Sequence, residues 1–308
     1  MKATLKYIVI TLVAGSLASC HFLDEIPPSN LVSDQIFESE TAAASTLEGC
    51  YQSMVYLMSS HFLNTLHGAS ILQHTHQTPL DSWYNHTVYS NHAHNGNTYK
   101  NIYSVIAKCN SFIDCAATSD LPKESTEKMV AQARFLRAYT YFMATRLWGD
   151  VPLVLDKVVS ISQAEVGRSH YTHVYKAILD DLDYAQSFCP TPSELSTEDI
   201  RRGHVCTYSA IALKAKVYVQ IASLMTSASN GIDDQWFDLT KEGRYPDFSS
   251  CGIPKDDVQK AWELALVNAE NVMQNGPFDL EPDYANLFRF FFTFFQFSAE
   301  SPPLSVPK

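Results

Sequence analysis

Glycine is scarce in this chain. There are 11 in 308 residues, with no Gly-x-Gly and no Gly-x-Ser-x-Gly anywhere. A phosphate-cradling loop, a dinucleotide fingerprint and a nucleophile elbow are therefore excluded as motifs. Cys-x-x-Cys is missing, which removes a zinc knuckle and a thioredoxin-like redox pair. No helical His-Glu-x-x-His occurs either. Positive charge is in short supply: 22 Lys and Arg stand against 33 Asp and Glu, a formal charge of −11. Nucleic-acid binding needs a basic face, so that class is excluded. An acidic chain is also poorly suited to anionic lipid, so any membrane link must come from an anchor. No apolar run is long enough to span a bilayer as a helix. From these absences we expect no cofactor, no metal and no enzyme.

The N-terminus supplies an anchor. Lys2 and Lys6 are followed by a short apolar run from Tyr7 to Ala14 and then by Leu17-Ala18-Ser19-Cys20. A basic start, a short apolar core and small residues are the marks of a secretory leader. A cysteine directly behind it has the form of a bacterial lipobox. Residues 1–19 thus read as a leader, Cys20 as the lipidated residue and 20–34 as anchor and tether. Ile26-Pro27-Pro28-Ser29 must be extended, because proline blocks helix in itself and its predecessor. Two or more acyl chains, at about 0.8 kcal/mol per buried methylene, suffice for stable attachment.

The remainder reads as helix. Apolar residues at helical spacing predict helices over 41–58, 99–117, 122–148, 171–188, 208–225 and 258–273, with Trp262, Ala265, Ala269 and Val272 as the inner stripe of the last. Val151–Leu155 is the one short strand candidate. Six helices in successive pairs predict an all-α protein of stacked helical hairpins of the tetratricopeptide-repeat type, although the consensus residues of that repeat are mostly missing. Segments 61–97 and 226–254 read as long irregular loops, which in compact domains carry function.

The helix over 122–148 is the most informative. Met129, Ala133, Leu136, Met143 and Leu147 form one apolar stripe; Phe135, Ala138 and Phe142 form a second. A helix apolar on two sides is an interior helix. Gly149 and Pro152 end it. Its wording, Ala-Gln-Ala-Arg-Phe-Leu-Arg-Ala-Tyr-Thr-Tyr-Phe running into Gly-Asp-Val-Pro-Leu, closely resembles the signature segment of the SusD/RagB family of outer-membrane nutrient-binding lipoproteins. The resemblance implies a helical-repeat scaffold over 35–289. It also implies an outer-membrane, outward-facing location, a glycan or peptide ligand, and a SusC-like TonB-dependent transporter as partner. Asp24 and Glu25, close behind Cys20, agree with surface export in such lipoproteins.

Several constellations could carry chemistry. Asp81-Ser82-Trp83-Tyr84-Asn85 offers an aromatic plate for a sugar's C–H face and planar groups for its hydroxyls. Asp81, Trp83, Tyr84 and Asn85 are the candidate ligand residues, with the alternative that Trp83 and Tyr84 pin the loop to the core. The histidines of 61–97 (His67, His74, His76, His86, His92 and His94) lack accompanying carboxylates and read as solvated. Asp180, Asp181 and Asp183 read as the wet side of a helix rather than a glycosidase pair. Arg134 and Arg137 read as partners of acidic side chains or carbonyls between helices. The six cysteines after Cys20 read mostly as small buried hydrophobes; their spacing gives no disulfide connectivity.

The resemblance breaks at 290–308, where six of the eight residues from 290 to 297 are Phe. Family members run on much further, so the expectation is a truncated or frame-shifted member. The alternative is a short natural variant whose Phe-rich tail caps the last repeat. The leading functional reading is a surface lipoprotein that captures a nutrient, above all a glycan, and delivers it to its transporter. Its rivals are a non-functional fragment and a surface glycosidase or peptidase. One expectation is directly testable: Cys20→Ala should leave the protein unprocessed or soluble. Membrane fractionation and intact mass check it, and an unchanged membrane-bound variant with no acyl mass in the wild type would refute the anchor.

Overall fold

Helical stability in a protein comes mostly from packing an apolar face rather than from propensity, so each helix depends on burying a face against a neighbour. In the computed structural model, which describes residues 37–58, 93–160, 163, 165–229 and 246–279, those faces are stacked in sequence order. Helix α1 (Glu40–Leu57) starts where the Ser39 hydroxyl accepts from the Ala42 amide at 3.1 Å. It buries Ala43, Leu47, Cys50, Met54 and Leu57 on one side. Helix α2 (Ala93–Ala116) answers with Ile102, Ile106, Cys109 and Phe112, each at most 1% exposed. Helix α3 (Lys123–Trp148) follows, then the two-residue strands β1 (Val151–Pro152) and β2 (Arg168–Ser169), paired antiparallel with Val151 opposite Ser169. Helix α4 (Tyr171–Phe188), the short α5 (Thr197–Arg202), α6 (Thr207–Ser229), a 3-10 turn at Ser249–Cys251 and α7 (Val258–Asn275) complete the described elements. The long helices pack as successive antiparallel hairpins, α1 on α2, α2 on α3, α3 on α4, α4 on α6 and α6 on α7; α1 also reaches α3. The all-α stack expected from the periodicity is the architecture observed.

Helix α3 lies at the centre. Both of its predicted stripes are inside: Ala133 and Ala138 are fully buried, and Leu136, Phe142 and Met143 are at most 5% exposed. Alanine at these positions lets the neighbouring backbones approach closely, and dispersion contacts accumulate where atoms are dense. Gly149 ends the helix with φ 67°, a conformation most side chains avoid, while its amide still reaches the Thr145 carbonyl at 2.9 Å.

The α3–α4 seam contains an ion pair. Arg137 donates to Asp181 through Nε and Nη2, both at 2.7 Å, and the two residues are 5% and 3% exposed. This confirms Arg137 as an interhelical partner and corrects the reading of Asp181 as a wet surface residue. Asp180 and Asp183 do point outward, toward Lys176 and Lys214 respectively. Helical spacing places Asp181 on the buried stripe, three residues after Ile178 and four before Ala185; what spacing could not give is its partner, 44 positions away.

Other departures are local. Helix α2 begins at Ala93 rather than 99, and α6 continues to Ser229. Helix α5 was not anticipated; its signal is a capping box in which the Ser196 hydroxyl accepts from the Asp199 amide and the Asp199 carboxylate accepts from the Ser196 amide. In α7 Ala265 is buried as expected and Ala269 and Val272 are half-buried, but Trp262 is 42% exposed and Ala261 takes the inner position in its place.

Two outcomes test this packing. Ala138→Asp should cost several kcal/mol, since the new carboxylate has no partner in the interior. Asp181→Ala should cost about 3–5 kcal/mol by stranding a buried guanidinium, while the double change Arg137→Met with Asp181→Leu should recover most of that loss. Chemical denaturation measures both, and a double variant no better than the single one would show that the pair contributes through something other than its charges.

Candidate functional site

Residues 153–157, directly after β1, run over α2 and α3 as a strap that is neither helix nor strand. Its backbone groups have no sheet to bond to, so side chains of α2 and α3 take them instead. The Tyr141 hydroxyl donates to the Val154 carbonyl and accepts from the Val154 amide, each at 2.8 Å. Asn110 Nδ2 donates to the carbonyls of Val154 and Asp156 at 2.9 and 3.1 Å. Arg137 Nη1 donates to the Leu155 carbonyl at 2.7 Å and to Asn110 Oδ1 at 2.8 Å, which fixes the amide's orientation. Farther along, Asp114 accepts from the Lys157 amide, and at the near end the Tyr103 hydroxyl donates to the Pro152 carbonyl at 2.8 Å. Burial pushes the Tyr141 phenol up to about 12, so it keeps its proton and its donor role throughout the physiological range.

The strap and α2 enclose a cleft of about 380 Å³ lined by Tyr99, Tyr103, Ile106, Pro152, Val154 and Val158. Its aromatic wall continues onto Trp148: Tyr99 lies 4.8 Å from Tyr103 and meets Trp148 edge-on at 5.3 Å between ring centroids. All three rings are half-buried and are held by their neighbours. The polar groups at the floor are already engaged, Tyr103 by Pro152 and Asn110 by the strap. The cleft therefore offers aromatic and aliphatic faces, on which the C–H face of a ring can stack. It offers no nucleophile and no acid–base pair. Among the described residues no group of histidine, cysteine and carboxylate side chains is arranged to hold a metal ion.

Cys20, Asp81, Trp83, Tyr84 and Asn85 lie outside the described residues, as do the side chains of the loop histidines. The structure thus brings together a different aromatic set. Two signals for it were in the sequence: Tyr99 and Tyr103 are one helical turn apart, and Trp148 is the last residue of the most distinctive helix. Arg134, the other arginine of that helix, reaches toward Asp181 at 3.8 Å and lies 4.2 Å over the Tyr184 ring.

Comparison with known proteins agrees with this scaffold. A SusD-like family model described as "Starch-binding associating with outer membrane" matches residues 21–232. The SusD-like protein P25 of Formosa agariphila is 26% identical over 227 residues, 69% of this chain and 42% of that protein. A SusD-like protein of Bacteroides ovatus is 22% identical over 293 residues, 94% of this chain and 47% of that one. The solved structure of a laminarin-binding SusD-like protein shares the fold with a TM-score of 0.52 at 21% identity, over 61% of this chain and 42% of its own. The chain spans less than half the length of each of these relatives.

The strap's dependence on side chains is measurable. Tyr141→Phe removes both bonds to Val154; the carbonyl keeps Asn110, whereas the amide loses its partner, a cost of roughly 1–3 kcal/mol. Hydrogen exchange at the Val154 amide should accelerate while the amides of α3 and α4 stay protected in proportion to the global loss. Unchanged exchange at Val154 would mean that the strap is held by other means.

Proposed function

The chain belongs to the SusD-like family, and on that premise we propose that it is a surface lipoprotein that binds a glycan and passes it to a SusC-like TonB-dependent outer-membrane transporter. The observation that carries this reading is the match of residues 21–232 to a family described as starch-binding and outer-membrane-associated. The aromatic cleft beside the strap supports it, because clustered rings held on packed helices are a physical means of holding a sugar ring. Among the described residues no helix is long and apolar enough to cross a membrane, which agrees with attachment through a lipid on Cys20. The protein would act as a capture surface and do no bond chemistry. A peptide ligand is the second class that the aromatic and aliphatic lining accommodates.

Binding is tested by calorimetry or affinity electrophoresis against laminarin, starch and a panel of other neutral and acidic glycans. If the described cleft is the platform, Tyr99→Ala and Trp148→Ala each weaken binding by about tenfold, the equivalent of roughly 1.4 kcal/mol of stacking. If Trp83 and Tyr84 form the platform, the Trp83→Ala and Tyr84→Ala pair weakens binding with an almost unchanged melting temperature. A large loss of stability in that pair assigns those rings to the core instead. Retention of no glycan, or release of cleaved product, would overturn the proposal.

A further inference from the structure

The cleft beside the strap is lined by polar groups that are already committed. The Tyr103 hydroxyl donates to the Pro152 carbonyl at 2.8 Å. Asn110 Nδ2 donates to the carbonyls of Val154 and Asp156, and its Oδ1 accepts from Arg137 at 2.8 Å. The Val154 amide and carbonyl are both bonded to the Tyr141 hydroxyl. Between these groups the wall consists of methyls from Ile106, Ala107, Val154 and Val158. Among the described residues of the lining, the Tyr99 hydroxyl is the side-chain polar group that remains for a ligand. At about 380 Å³ the cleft is at the small end of ligand sites, so it takes a single unit of a chain rather than a long stretch of it.

A sugar hydroxyl that enters such a wall gives up its hydrogen bonds to water and finds no partner in exchange. A methyl group in the same place has no such bonds to lose, and it gains dispersion contacts and removal from water. We propose that the cleft selects 6-deoxyhexose units of a glycan, with the C6 methyl against Ile106, Val154 and Val158 and the ring's C–H face toward the tyrosines. The hydroxyls on the outward edge stay in water, and the Tyr99 hydroxyl is in place to bond one of them. This inference rests on the glycan reading above and deepens it by naming the class of sugar. The discrimination has a physical ceiling. An apolar site rejects an added hydroxyl only by the bonds that group leaves unmade, because nothing clashes. Val158 is 40% exposed, so the wall is partly wet and the expected preference is about tenfold rather than more.

The test titrates the full chain with two matched pairs of free sugars, D-fucose with D-galactose and 6-deoxy-D-glucose with D-glucose. The members of each pair differ only in carrying hydrogen or a hydroxyl at C6. Saturation-transfer NMR reads both the affinity and the protons in contact. The deoxy sugar of each pair should bind about tenfold more tightly, with its methyl protons the most strongly saturated. Val158→Thr exchanges one wall methyl for a hydroxyl at almost constant shape, and it should lower that ratio. Tyr99→Ala should weaken both members of a pair alike. Equal affinities, or a preference for the hydroxylated sugar, would overturn the inference. So would a preference that Val158→Thr leaves unchanged, since the methyl would then sit elsewhere. The laminarin and starch titrations separate the premises. If those glycans bind and Tyr99→Ala weakens them while the matched sugars show no preference, this specificity is wrong and the capture reading stands. If neither glycans nor sugars are retained, both fall.

Discussion

The constraint on which the rest of this structure depends is the need to satisfy Arg137 once it is inside. A guanidinium presents five donors in a fixed plane and cannot shed its charge. Burying it demands a carboxylate and further acceptors at set positions. Asp181 supplies the carboxylate from α4, and Asn110 and the Leu155 carbonyl take the remaining contacts. One side chain thereby fixes the relation of α2, α3, α4 and the strap, four pieces that apolar packing alone would leave free to slide. Whether such a pair adds net stability over an apolar replacement is a separate matter from the specificity it imposes.

The strap shows how a helical stack carries an irregular segment without a sheet. Extended backbone placed on helices has unmet donors and acceptors, and each must be met individually. Tyr141, Asn110, Asp114 and Tyr103 do this along successive residues. The same engagement shapes the neighbouring cleft. Because its floor groups are spent on the strap, what faces outward is ring and methyl, and a ligand there gains from stacking more than from hydrogen bonds. Specific recognition of hydroxyls would have to come from groups beyond this cleft.

Burial of small residues sets the other dimension of the stack. Ala133 and Ala138 in α3, Ala185 in α4, Ala210 and Ala222 in α6 and Ala261 and Ala265 in α7 lie at the contacts and are at most 4% exposed. Their faces let the larger side chains of adjacent helices interdigitate at interior density. The adjoining side of α7 carries Trp262, Leu266 and Met273 at 42%, 58% and 79% exposure among the described residues.

The sequence by itself determined the helical class, the centrality of the 122–148 helix and its end at Gly149, because those follow from apolar spacing and backbone chemistry within a single segment. The resemblance of that helix likewise pointed to the family that the match over 21–232 then showed. The tertiary structure alone decided the rest. Asp181 alone of the three aspartates shares the spacing of the buried stripe, but the arginine that it meets is brought from α3 by the fold. Trp262 has the composition of a core residue, but alanines on the adjoining stripe face α6. The sequence held the parts of the aromatic cleft but not the cleft, for the same reason: Tyr99, Tyr103 and Trp148 become one surface only when α2 and α3 lie side by side. Local periodicity encodes which face of a helix is apolar; it does not encode which distant residue will come to stand opposite.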